Sequence, residues 1–293
     1  MVMAQTLFAE LQRQRPCDID VLAPAWCRPL LSRMPEVRQA LDLPFGHGEL
    51  KLRQRRAAGR AGHGLLNDVR KLDKERYPLM VQRFVALALD ADAPPPALET
   101  IQPPRLRVDS DAVAAARADQ RLADDRPVLG LCPGAEFGPS KRWPEYHYAA
   151  VARHWIGQGG RVWLFGSAKD RPVAEQIIEA LPEAQRGEAA ILAGATSLEQ
   201  AVDLLSVTDA VVSNDSGLMH IAAALGRPLV AVYGSTSPGF TPPLGEAVAI
   251  ERLGLECSPC FQRECPLGHL NCLRQLEPDR VIQALARLPG VPR

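Results

Sequence analysis

Short apolar runs recur at Pro127 to Cys132, Arg161 to Phe165, Ala189 to Leu192, Ala210 to Ser213, Leu229 to Tyr233 and Ala247 to Ile250, and helical patterns separate most of them. Strands that alternate with helices predict an α/β protein whose parallel sheet is covered on both faces. Such sheets take ligands at the carboxyl ends of their strands. One helix is predicted after Pro144, with Tyr148, Val151, Ala152 and Trp155 at helical spacing. Another opens on Thr196-Ser197-Leu198-Glu199, a Ser/Thr-x-x-Glu capping box, and continues through Val202, Leu205 and Ser206. Glu277 to Leu288 reads as a closing amphipathic helix.

Two strand ends point to chemistry. The run Val211-Val212-Ser213-Asn214-Asp215-Ser216-Gly217-Leu218-Met219-His220 passes from a buried strand into a helix through small polar residues. Free N–H groups and the positive dipole end at a helix start attract phosphate, and Gly217 lets a ligand come close to the backbone. Ser216 is placed to cap the helix, and His220 lies one turn later on the same face. Taken alone, these ten residues fit an ordinary strand-to-helix connection equally well. The loop Pro133 to Pro144 leaves the first strand of this half and delivers Lys141 and Arg142 just before a helix. Lys141 can neutralise a phosphate as a point charge, the plainer reading being a surface charge, and Pro144 suits the first helical position. Neither G-x-G-x-x-G nor G-x-x-x-x-G-K-[ST] occurs, which counts against a nicotinamide enzyme and a P-loop NTPase.

The first half is poorer in strands, with Ile19 to Ala23 and Ala40 to Leu43 as candidates and helices expected over Met1 to Arg13, Tyr77 to Leu89 and Asp109 to Leu122. The basic run Lys51 to Arg60 fits a solvated helix face or a docking surface for an anionic acceptor. Two domains are expected, 1–124 and 125–293. Lys plus Arg and Asp plus Glu number 34 each, so the chain has no overall field that would recruit nucleic acid. Met1 begins a stretch with no basic segment ahead of an apolar one, and no apolar run has the length of a membrane span. A cytoplasmic protein is expected, its seven cysteines reduced or metal-bound.

The two loops, together with Leu229 to Pro238, Val21 to Cys27 and Gly64 to Asp73, resemble glycosyltransferase family 9, the bacterial heptosyltransferases. The resemblance covers nearly the entire chain. It implies a GT-B-like α/β architecture of two Rossmann-like domains, a truncated acceptor-side one and a nucleotide-sugar-binding one. Carried over position by position, Lys141 would contact the donor phosphates, and Asp215, Ser216, Gly217 and His220 would line the diphosphate and heptose. The implied reaction moves heptose from ADP-heptose to the inner-core heptose of lipopolysaccharide with inversion and without metal or other cofactor. A carboxylate takes the acceptor proton, and lysine with helix amides stabilises the departing nucleoside diphosphate. The acceptor would be met at the cytoplasmic membrane surface, with peripheral contact through the basic run.

In that family the base is an aspartate in the first strand-to-helix loop, directly ahead of residues like Met1-Val2-Met3-Ala4-Gln5, so the expected base precedes Met1. A further segment is expected to be missing near Ala61 to Gly64, and the N-terminal domain is expected to be incomplete. Asp18 and Asp20 flank the first candidate strand and Asp68 and Asp73 lie in a predicted polar helix, but nothing singles one out as the base. A nucleotide-sugar-binding remnant without transferase activity and a GT-B sugar-nucleotide epimerase stay open as alternatives. Near the end, Cys257, Cys260, Cys265 and Cys272 form C-x2-C-x4-C-x6-C, a spacing that fits either a structural zinc or reduced buried thiols.

Overall fold

The computed structural model describes residues 1–43, 70–123 and 125–292, which divide into two compact units, Met1–Arg107 and Val108–Arg293. The second unit is built on a six-stranded parallel sheet with β3 (Val128–Cys132), β4 (Arg161–Leu164), β5 (Ala189–Ile191), β6 (Ala210–Asn214), β7 (Leu229–Val232) and β8 (Val248–Glu251). Their spatial order is β5-β4-β3-β6-β7-β8. Renumbered within the unit, this is the 3-2-1-4-5-6 order of a Rossmann-type sheet, whose direction of winding reverses between β3 and β6. Both strands are buried along their whole length, because helices cover the two faces. They are continuous apolar runs for the same reason.

Helices α4 (Glu145–Gly157), α5 (Arg171–Glu179) and α8 (Pro278–Arg287) pack together over one face, and α3 (Ser110–Asp119), α6 (Leu198–Leu205) and α7 (Gly217–Ala224) form the second helical layer. The core under the first layer joins Leu129, Leu131, Trp143, Tyr148, Val162, Leu164, Ile177, Val212, Leu273 and Val281. Each such side chain stabilises the fold by about 1.5–3 kcal/mol on burial. Because α3 packs on α6, and Gln200 Nε2 donates to Asp119 Oδ2 at 3.1 Å, this helix belongs with the second unit. The division therefore falls at 107/108 and not at the sequence-based 124.

Cap positions differ from expectation by one residue. Ser197, not Thr196, caps α6, in a reciprocal box with Gln200, because the Thr196 hydroxyl is spent on Leu192 O at 3.2 Å. Pro144 is the N-cap of α4, not its first helical residue.

In the first unit, α1 (Gln5–Gln14) packs against α2 (Met80–Val85), and β1 (Ile19–Ala23) runs parallel to β2 (Val37–Asp42). Among the described residues this strand pair is the unit's whole sheet, narrower than a Rossmann-like half requires. β2 starts three residues before the expected Ala40. α2 is shorter than the predicted Tyr77 to Leu89, since Pro78 holds Tyr77 out of the helix and the last turn tightens to i→i+3 bonds at Leu87 and Ala88. Asp73 lies outside any helix and instead accepts the N–H groups of Glu75 and Arg76. The Lys51 to Arg60 run, Asp68 and the Ala61 to Gly64 position lie outside the described residues. No described helix is long and apolar enough to cross a membrane.

Candidate functional site

The loop after β3 and the turn after β6 meet at the carboxyl edge of adjacent strands, the position where open α/β sheets bind ligands. Lys141 ends a short 3-10 turn, Pro139–Lys141, and its Nζ donates to Asp215 Oδ2 at 2.6 Å. The Asp215 side chain is only 5% exposed and that of Lys141 15%, so this ion pair is largely withdrawn from solvent. Thr236, just beyond β7, donates its hydroxyl to the same carboxylate oxygen at 2.6 Å. Three successive strand ends thus converge on one acid.

Ser216 occupies the N-cap position of α7 in extended conformation, but its hydroxyl makes no cap bond. It lies 3.3 Å from the Ser213 hydroxyl instead, so the N–H groups that open α7 keep no side-chain partner from this residue. Gly217 follows, and a Cβ there would meet nothing within 4 Å, so the space over the helix start is open. His220 is held down to about pKa 4, chiefly by loss of hydration, with Asp215 pulling the other way and Lys141 adding to the depression. It is a neutral imidazole at physiological pH, a hydrogen-bonding group and not a cation.

All five donor-site residues read from the sequence are therefore brought together. Residues that the sequence reading passed over support them. Asn214 Oδ1 accepts the Trp143 N–H at 3.1 Å and the Tyr148 hydroxyl at 3.0 Å, and its Nδ2 donates to Pro133 O at 2.6 Å. Ser140 and Ser235 place their hydroxyl oxygens 2.9 Å apart, which joins the loop after β3 to the loop after β7. Thr236 lies within the family-like segment Leu229 to Pro238. Its position after the third consecutive strand was the available signal.

The four cysteines near the C-terminus line a small cavity together with Ser140, Ser235 and His269. Among the described residues no three His, Cys, Asp or Glu side chains are arranged to hold a metal ion, so the tetrahedral zinc expectation finds no ligand set here. The thiols have a different setting. Leu270 N–H points at Cys265 Sγ at 3.4 Å, and backbone N–H groups lower that thiol's pKa. Burial and the three neighbouring cysteines push Cys272 up to about 11. The segment also braces the site: Ser258 Oγ donates to Gly234 O at 2.5 Å and Phe261 N–H to Ser235 O at 2.7 Å.

Of the acids considered from the sequence, Asp18 and Asp20 both pair with Arg38, which lowers the Asp20 carboxyl.

The family model described as glycosyltransferase family 9 (heptosyltransferase) matches residues 49–271. The chain is 43% identical to lipopolysaccharide heptosyltransferase 2 of Salmonella typhimurium over 329 positions, covering 98% of this chain and 94% of the relative. That span exceeds the 293 residues of the chain, so the relative has residues within it that this chain lacks. Lipooligosaccharide heptosyltransferase 2 of Haemophilus influenzae is 45% identical over 295 positions, with 86% of this chain and 85% of the relative covered. Among solved structures, Escherichia coli ADP-heptose lps heptosyltransferase II superposes with a TM-score of 0.83 at 41% identity, covering 98% of this chain and 94% of that one.

Proposed function

Because this chain belongs to glycosyltransferase family 9, with the GT-B-like α/β fold of its relatives, we propose that it transfers heptose from ADP-heptose to the inner-core heptose of lipopolysaccharide with inversion. The observation that supports the donor half of this reading is the Lys141–Asp215 pair, set where the sheet reverses and beside the open start of α7. In the reaction an acceptor hydroxyl oxygen bonds to the anomeric carbon as the bond from that carbon to the β-phosphate oxygen breaks. The electron pair leaves with ADP. Negative charge therefore grows on the diphosphate, and the N–H groups that open α7 at Gly217 and Leu218, with the Lys141 ammonium, are the groups that would stabilise it. The Asp215 carboxylate, being anionic, would repel a phosphate; its part is to hold the Lys141 ammonium in place. Neutral His220 serves as a hydrogen-bonding contact to the sugar or phosphate.

The test is calorimetry with ADP-heptose run beside a transfer assay on an acceptor that ends in inner-core heptose. Binding together with product supports the reading. Binding without product favours a remnant, and conversion of the donor without acceptor favours an epimerase. The near full-length transferase relatives speak against both alternatives. Acceptor phosphates at the cytoplasmic membrane face are the partner that the Lys51 to Arg60 run suits. Co-sedimentation with anionic vesicles, lost when those basic residues are neutralised, tests that contact.

A further inference from the structure

The Lys141 ammonium is matched by the buried Asp215 carboxylate, so the pair offers almost no net charge to an incoming diphosphate. The start of α7 adds roughly half a positive charge. The departing group carries more than that, and its charge rises as it leaves. Other cations around the loop are also matched: Lys169 stands 2.9 Å from Glu136, and Arg142 lies 3.9 Å from Asp170. Among the described residues Arg263 forms no ion pair.

Its main chain is fastened to the Lys141 loop. Ser140 N–H donates to Arg263 O at 3.2 Å, and Ser140 Oγ donates to Gln262 O at 2.5 Å. Gly138, at φ +154°, allows this approach, since a Cβ there would come within 2.5 Å of Arg263 O. The side chain reaches the same aromatic ring as Lys141: the guanidinium carbon lies 5.9 Å and Lys141 Nζ 5.1 Å from the centre of Phe137. Arg263 also acts on this loop's acid, for Glu136 is lowered first by Lys169 and further by Arg263 and Arg142.

We propose that Arg263 is a second cation for the donor diphosphate, carried to the Lys141 loop by the cysteine-bearing segment. This rests on the donor reading of Lys141. A guanidinium can bond two phosphate oxygens at once, which an ammonium already shared with Asp215 cannot match. The main-chain bonds hold its Cα beside the Lys141 loop, so the proposal requires only that the side chain turn away from Phe137.

The test uses the full chain with Arg263→Gln, Arg263→Lys and Lys141→Met, read by inhibition with ADP across a salt series and by kcat/KM for the donor. Arg263→Gln is expected to weaken ADP binding about tenfold, the scale of one charge-assisted hydrogen bond, and to flatten its salt dependence, with Arg263→Lys recovering part of the loss. If Lys141→Met weakens ADP and Arg263→Gln changes neither affinity nor salt slope, the Arg263 role is overturned and the donor reading stands. If neither substitution weakens ADP, the donor reading falls too. The bonds to Ser140 use main-chain oxygens, so Arg263→Gln should leave Tm unchanged; a lowered Tm with no recovery by Arg263→Lys would make the residue structural and refute the proposal.

Discussion

Asn214 accepts the main-chain N–H of Trp143 at 3.1 Å, so the last residue of one strand fixes the loop that leaves its neighbour. Asn214 is fully buried, and its amide is occupied at both ends by Trp143, Tyr148 and Pro133. Lys141, two residues before Trp143, inherits its position from this buried network.

Asn214→Leu leaves the Trp143 N–H and the Pro133 carbonyl without these partners and the Tyr148 hydroxyl with only Cys132 O, at 3.3 Å. The expected loss is about 2–4 kcal/mol of unfolding free energy, measured by urea denaturation. A change below about 0.5 kcal/mol, the range of ordinary surface substitutions, would contradict the role given to this network.

On the proposed donor reading, Lys141→Met removes a cation that meets the departing diphosphate. Donor kcat/KM should fall about a hundredfold, the scale seen when one preorganised donor is lost. Thr236→Val costs the Asp215 carboxylate one hydrogen bond and should lower the same parameter by a few-fold, about 1 kcal/mol, with Thr236→Ser restoring it. Equal kinetics in Thr236→Val and the unsubstituted protein would mean that Lys141 alone orients the acid.

His220 gives a pH signature. Its pKa is about 4 in the folded chain against an ordinary 6.5, so between these values the unfolded chain binds a proton that the folded one refuses. Stability is therefore complete above pH 6.5 and falls as the pH drops toward 4, by at most about 1.4 kcal/mol per unit. Replacement by Gln should flatten that part of the stability profile, and an unchanged slope would show that other groups cause the acid loss.

The cysteines should differ in reactivity. Backbone N–H groups favour the Cys265 thiolate, whereas burial pushes Cys272 up to about 11 and Cys132 up to about 12. Limited iodoacetamide treatment followed by peptide mass spectrometry should find Cys265 modified ahead of the other two. Earlier labelling of Cys132 would mean that β3 opens more readily than its burial suggests.

The second unit was legible because its strands are buried on both faces, and runs such as Val128 to Cys132 need no alternation to be recognised. Its caps were less so, since Thr196, Ser197 and Ser216 are equivalent in composition and only the folded chain decides which hydroxyl is already engaged. In the first unit the outer faces of β1 and β2 expose Leu22 and Leu41, which are register partners, so periodicity there did not report burial. At the site, Lys141 and Asp215 were visible from local chemistry. Asn214, Thr236 and Arg263 were not, because each acts through a partner at least 21 residues away in sequence.

All six strands of the larger sheet run the same way, so the turns that feed them gather at the pole remote from the Asp215 turn. Two of those turns pass through Gly159 and Gly226, around which a side chain would meet nothing. Closing a longer loop costs little more than closing a short one. A reporter peptide or affinity handle spliced at Gly226 would thus ride on the opposite edge of this sheet while leaving the Lys141–Asp215 pair undisturbed.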